Sequence, residues 1–331
     1  IIRMSIPAQG DQITLTGNIN KTAGADATLT LKADVISLNV TSSIVSNSAR
    51  LNVILWSEFP STASGRTIIT SSTINTNGGG LAIAGQTSTT SWSPYPGGAS
   101  ITIPTGVPYG SNVPGLHISS SNINTSGGNI YARGRTINNT GSTTNVGLLI
   151  EGSTILTGVG NIDMYGAYGA DSGIASYISG LEVNGSSITS TSGNIVCAGV
   201  LEASGNVNYG HGLRFGTQGW SGNTSASGDV SISSESGNIT LSGTMSATYA
   251  TANANGLTLI TVGTDDVTIS SNTGNITING TNNQTNGAQH NGVLLSAGGG
   301  AISVTTGGTG TTEGGTINVN AVGPSTIDDY G

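Results

Sequence analysis

Gly180 to Gly199, GLEVNGSSITSTSGNIVCAG, carries three apolar anchors, Leu181, Ile188 and Ile195, each seven residues after the last. The same trio recurs on either side of it, as Leu116, Ile123 and Ile130, then Leu148, Ile155 and Ile162. Further on it returns as Leu213, Ile232 and Ile239, and as Leu257, Ile269 and Ile276. The second-to-third step is seven in every unit, and the third anchor leads to the next first anchor after 17 to 19 residues. Only the first-to-second step stretches, so that corner is expected to take insertions.

A step of seven is also a helical heptad, and composition decides against it. The residues between anchors are Gly, Ser, Thr and Asn, poor helix formers, and around each anchor apolar and polar residues alternate as in a strand. Leu181-Glu182-Val183 and Ile195-Val196-Cys197 read in, out, in. Each step is therefore a short strand and a turn, with Ser-Gly-Asn or Thr-Gly-Asn expected to supply positive φ. Three strands per unit, all running one way and repeated every 20 to 50 residues, predict an all-β fold, a parallel right-handed β-helix with three strands per coil. Ala132, Met164, Cys197, Leu241 and Ile278 should then stack as one row of the core.

A solenoid grows by adding coils, so residues 1–331 read as one elongated domain. The opening IIRMSIPAQG and the closing IDDYG lead to the expectation of an interior piece of a longer chain. Residues 86–114, rich in Pro and aromatics, read as a loop excursion with a short ASITI strand of its own, and residues 320–331 as an irregular tail. From Leu29 the steps to Ile36, Ile44 and Leu51 are seven or eight, giving tight early coils.

Charged residues make up only 7% of the chain. In a stacked sheet a repeated charge would lie beside its own copy, which is unfavourable. Glu182 and Arg214 occupy equivalent outward positions and would meet as an acceptable opposite pair. A net charge of −8 with eight Lys and Arg offers no basic stripe, which argues against nucleic acid. No apolar run is long enough to insert in a membrane as a helix. The single cysteine, Cys197, falls in an apolar column and reads as core rather than as a reactive thiol.

The strings LNVILWS (from Leu51), STINTNGGGLAIAG (ending at Gly85) and GLLIEGSTILTGVGNIDMYG (from Gly147) resemble the exoproteins of the filamentous haemagglutinin type. The resemblance covers about Leu29 to Ile278. It implies a right-handed parallel β-helix, two-partner secretion through an outer-membrane transporter, and an extracellular place on the bacterial cell surface as an adhesin or stalk. The secretion-domain motif rich in Asn and Pro has no counterpart here, which points to interior shaft.

Aromatic side chains supply the candidate contact residues. Tyr165, Tyr168, Tyr177, Tyr209 and Tyr249 all lie between a third anchor and the next first anchor, and Trp92, Tyr95 and Tyr109 lie in the excursion. On a solenoid that corner climbs one edge, so these rings are expected to form an exposed ridge. Such a ridge suits a glycan or protein of a host or neighbouring cell, or it simply covers the edge of the coils.

The rival is a β-helix enzyme acting on polysaccharide. Gly210-His211-Gly212 and Asp265-Asp266 resemble polygalacturonase motifs, but in reversed order and without the others that family needs. Asp163, Glu182 and Glu202 are expected on different faces, away from the carboxylate spacing that glycoside hydrolysis requires. His117 is expected outward on a strand, His211 and His290 in loops, with no ligand spacing for a metal, and Asp265-Asp266 in a solvated turn. Regular Thr-x-Thr ice-binding ladders are not evident either. The expectation is a non-catalytic adhesin or stalk needing no cofactor, with self-association into a filament or sheath as the second reading and the polysaccharide enzyme as the third.

Overall fold

Apolar anchors at a fixed register force the chain into a stack. The computed structural model describes residues 2–5, 11–57, 65–111, 113–138, 145–170, 175–216, 228–284, 290–307 and 314–323, and among these it holds 29 strands and no helix. The second strands of the coils form one nine-stranded parallel sheet, from Asn18–Lys21 to Ile302–Thr306. Its centre is the column Ile19, Ile44, Ile74, Ile123, Ile155, Ile188, Ile232, Ile269, Val304. First anchors stack likewise as Leu116, Leu148, Leu181, Leu213 and Leu257, all fully buried. The row Ala132, Met164, Cys197, Leu241, Ile278 is present in register and buried, as predicted. At the spacing of neighbouring strands, nine coils extend about 40 Å. The fold is a parallel β-helix.

The turn before each third strand works differently from its expected role. Gly193, Gly237 and Gly274 of the Ser-Gly-Asn and Thr-Gly-Asn motifs do not adopt positive φ. They are glycine because a Cβ on each would lie 1.9 to 2.1 Å from the carbonyl oxygen of the matching glycine one coil below. Beside them runs an asparagine ladder. The backbone N–H of Asn161, Asn194, Asn238 and Asn275 each donates to the Oδ1 of the asparagine one coil below, at 2.8 Å. Side-chain amides thus extend the backbone hydrogen bonding through a turn where it would otherwise lapse.

After Met164 the third strand does not stop. Ile162–Ala170 runs on through Gly166, the return strand Ala175–Asn184 passes Gly180, and a Cβ on Gly166 would sit 2.1 Å from the Gly180 oxygen. Gly134 with Gly147, Gly199 with Gly212, Gly243 with Gly256 and Gly280 with Gly292 repeat the contact at 1.9 to 2.4 Å. Two backbones touch there, which only glycine allows. The result is a waist. Beyond it lies a second, smaller core of Tyr168, Ile178, Leu201, Ala203, Val207, Met245 and Ala254, separate from the main one.

The excursion begins in strand, not loop: Leu81–Trp92 is one strand, and Ile101–Gly106 pairs with it antiparallel. This hairpin carries Ile103 onto Ile54 and Ala82 on the outer face of the third-strand sheet. The tail expected from residue 320 is strand as far as Val322, and residues 324–331 lie outside the described residues.

Candidate functional site

Third strands alternate an inward anchor with an outward residue, so successive coils line up their outward side chains. Tyr131 lies opposite Asp163 and Arg133 opposite Tyr165. The Arg133 guanidinium donates to both carboxylate oxygens of Asp163, at 3.0 and 2.7 Å, a fork geometry that fixes the plane of the group. Its Cζ lies 3.8 Å from the Tyr131 ring centroid and 5.9 Å from that of Tyr165. Trp92, delivered by the hairpin, meets Tyr131 at 6.4 Å and 56°. Burial, then the Glu202 carboxylate, raises the Tyr165 phenol above its usual pKa, so it stays a neutral donor. Arg135 faces Glu202 at 3.6 Å. Lower on the solenoid, Lys32 lies over Trp56 at 4.5 Å and Arg50 over Tyr95 at 4.3 Å. These rings form a stripe in which cations are held against π faces.

A second group sits on the return strands. Tyr177 and Tyr209 stack with ring centroids 5.1 Å apart and planes within 3°. Both are half-buried and both have positive φ, 55° and 56°.

The expected single ridge therefore divides. Trp92, Tyr95 and Tyr165 belong to the stripe, and Tyr177 and Tyr209 to the stack. Tyr168 is no surface residue: it is fully buried in the second core, because the strand keeps its alternation through Gly166 and turns position 168 inward. Tyr109 and Tyr249 have backbone in strands, and their side chains lie outside the described residues. Tyr131, Arg133 and Trp56 were not among the expected contact residues. The signal for them was register, since Tyr131 and Arg133 flank the inward Ala132.

Other expectations also change. Glu182 and Arg214 do pair across adjacent coils and face away from the main core, yet each is only 1% exposed. They are a buried ion pair rather than a surface contact, with Asn184 donating to the Glu182 carboxylate. His211 is not in a loop: it lies within the strand Ile195–Phe215, is buried, and its Nδ1 is 2.9 Å from the Thr258 hydroxyl. His290 opens the strand His290–Gly298. His117 is on a strand as expected, with Nε2 2.7 Å from Glu151.

Asp265 and Asp266 lie just after a turn, where they accept backbone N–H groups from Gly228 and Ala301 in neighbouring coils. Among the described residues no three His, Cys, Asp or Glu side chains gather in a way that could hold a metal ion. No protein-family model matches the chain, and no curated protein or solved structure does either.

Proposed function

We propose that this chain is a β-helical stalk of a secreted bacterial surface protein, of the filamentous haemagglutinin type, that recognises a glycan or protein on a host or neighbouring cell and catalyses nothing. The observation that supports recognition is the stripe itself. Tyr131, Arg133, Asp163 and Tyr165 are partly exposed and mounted on stacked strands, with Arg133 fixed by a bidentate ion pair to Asp163 and set against both rings. Rigid aromatic and guanidinium groups lose little conformational entropy on contact. The test is attachment of the whole chain to cells or to surface-glycan extracts, before and after Tyr131→Ala with Tyr165→Ala. Loss of attachment with an unchanged Tm is the expected result, and attachment at the original level by the variant removes the reading.

Head-to-tail association of copies is a second reading. Leu295, Ile317, Val319 and Val322 are 42 to 58% exposed. Threads of purified protein in electron micrographs would favour it.

A further inference from the structure

We propose that the asparagine ladder is a binding rail for an uncharged, extended polymer of N-acetylhexosamine lying along the solenoid axis. The proposal names a ligand for the adhesive reading and rests on it for the extracellular setting. It begins from what the ladder leaves over. Asn161, Asn194, Asn238 and Asn275 are exposed, and each commits its Oδ1 to a backbone N–H of the coil above, the last to that of Thr316, all at 2.8 Å. That bond fixes which way each carboxamide lies, so the Nδ2 donors form a row at the coil spacing of about 4.8 Å. Among the described residues these four Nδ2 groups have no protein acceptor.

The turn itself needs only the oxygen. At the corner before the second strands the same task falls to carboxylates: Asp229 Oδ1 accepts from the Asp266 N–H at 2.8 Å, and Asp266 Oδ1 from the Ala301 N–H at 2.7 Å. The Nδ2 groups are surplus to that task. The rung below them shows what such a group holds. Asn129 donates from Nδ2 to the Ser93 carbonyl, and its backbone N–H donates to the Pro94 carbonyl, both at 2.7 Å. The excursion thus covers the first rung with amide carbonyls, and the four rungs above it are exposed.

A row of donors selects a ligand rich in acceptors, and the acceptor held at Asn129 is an amide carbonyl. An extended peptide turns a carbonyl to one side only every second residue, about 6.7 Å, and drops out of register with the rungs. Equatorially linked pyranose rings advance by nearly one coil per ring, so the acetamido carbonyls of every ring, or of alternate rings, fall on rungs. Charge selects further. Beyond Arg135 the sequence holds one Lys or Arg, Arg214, against twelve Asp and Glu, and Arg214 is buried and paired with Glu182. A sulfated or uronic chain meets repulsion there, and an uncharged one does not. The rail also runs beside the aromatic stripe, since Asn129 and Asn161 stand two residues before Tyr131 and Asp163.

The experiment titrates the whole chain with N-acetylglucosamine oligomers of increasing length, with cello-oligosaccharides, heparin fragments and an unstructured peptide alongside. Affinity is expected to rise with oligomer length, and the side-chain amide NMR signals of the four rungs to shift. Asn194→Asp with Asn275→Asp keeps an oxygen for the Asn238 and Thr316 N–H groups, removes two donors, and leaves a neutral rung between the new charges. It is expected to weaken binding about tenfold or more while Tm stays level. Equal binding by the Asp pair, equal binding of cello-oligosaccharides, or preference for heparin or the peptide overturns the rail. Should the Asp pair fail to fold, rung signals of the unaltered chain that stay fixed during the titration overturn it as well. If the Tyr131/Tyr165 variant loses cell attachment while the unaltered chain binds no N-acetylglucosamine oligomer, the rail fails and the adhesive reading stands. If the unaltered chain binds neither cells nor any oligomer, both fail.

Discussion

The two lobes on either side of the glycine waist are built by opposite means. The main lobe is filled by large side chains repeated coil after coil, Leu or Ile at each anchor. The second has a shorter and mixed core, in which Tyr168, Leu201 and Met245 share one column that starts at Thr136 and ends at Asn282. Polar residues close its two ends, whereas in the main lobe isoleucine continues along the column. One lobe is specified by what its side chains fill, the other by the absence of side chains at the waist.

The sharpest way to break that contrast is to put a methyl group into the waist. A Cβ on Gly199 would lie 2.0 Å from the Gly212 oxygen, and both are backbone, so neither side can yield. Gly199→Ala should cost about 4–5 kcal/mol, at the extreme for single substitutions. Gly17 has nothing within 4 Å of the same atom and no positive φ, so Gly17→Ala should change stability by no more than about 0.5 kcal/mol. Urea melts of the two variants read the difference directly.

Cavity-forming substitutions rank the lobes next. Leu181→Ala removes a fully buried anchor from the continuous column and should cost about 3–4 kcal/mol. Met245→Ala, in the smaller core, should cost about 2–3 kcal/mol. Amide hydrogen exchange should show the second lobe of the Met245 variant opening while the nine-stranded sheet stays protected. Uniform loss of protection would mean that the lobes unfold as one.

The anchors, the strand direction and the Ala132 to Ile278 row were all legible in the sequence, because a residue's inward or outward aspect follows from alternation alone. The waist was not. Whether a glycine marks a turn or a contact depends on the segment it meets, and Gly166 and Gly180 are brought together only once the coil is closed. A clue was nonetheless present: Ile162, Met164, Gly166 and Tyr168 keep one parity, as do Ile195, Cys197, Gly199 and Leu201. Carrying the alternation through the glycine separates buried Tyr168 from outward Tyr165. The stripe was half legible for the same reason, since Tyr165 could be placed outward but its companion Arg133 lies 32 residues earlier, one coil below.

Cys197 reports on the main lobe without altering it. Burial, with a smaller contribution from Asp163, pushes its thiol up to about 12 from an ordinary value of 9.0. The folded chain thus keeps the proton after the unfolded chain has lost it. Stability contributed by the protonated thiol is complete below pH 9 and falls as pH rises from there to about 12. At pH 8 the native thiol should resist iodoacetamide, and its alkylation should track global unfolding. Rapid labelling of the folded chain would show that the core row is open. In the Leu181→Ala variant the labelling rate should rise, and in Met245→Ala it should change far less.

A substitution of small expected effect tests whether the turns of the main lobe act independently of the second. Asn194→Ala removes the Oδ1 that accepts from the Asn238 N–H, while the N–H at position 194 can still donate to Asn161. The site is exposed, so water can replace the lost acceptor, and the cost should be about 0.5–1 kcal/mol. Asn194 lies in the turn that leads into a third strand, and Met245 lies past the waist of the next coil. With no shared partner, the Asn194→Ala/Met245→Ala double variant should equal the sum of the singles within about 0.5 kcal/mol. A larger coupling would show that strain crosses the glycine contacts, and the two lobes would then have to be treated as a single cooperative unit.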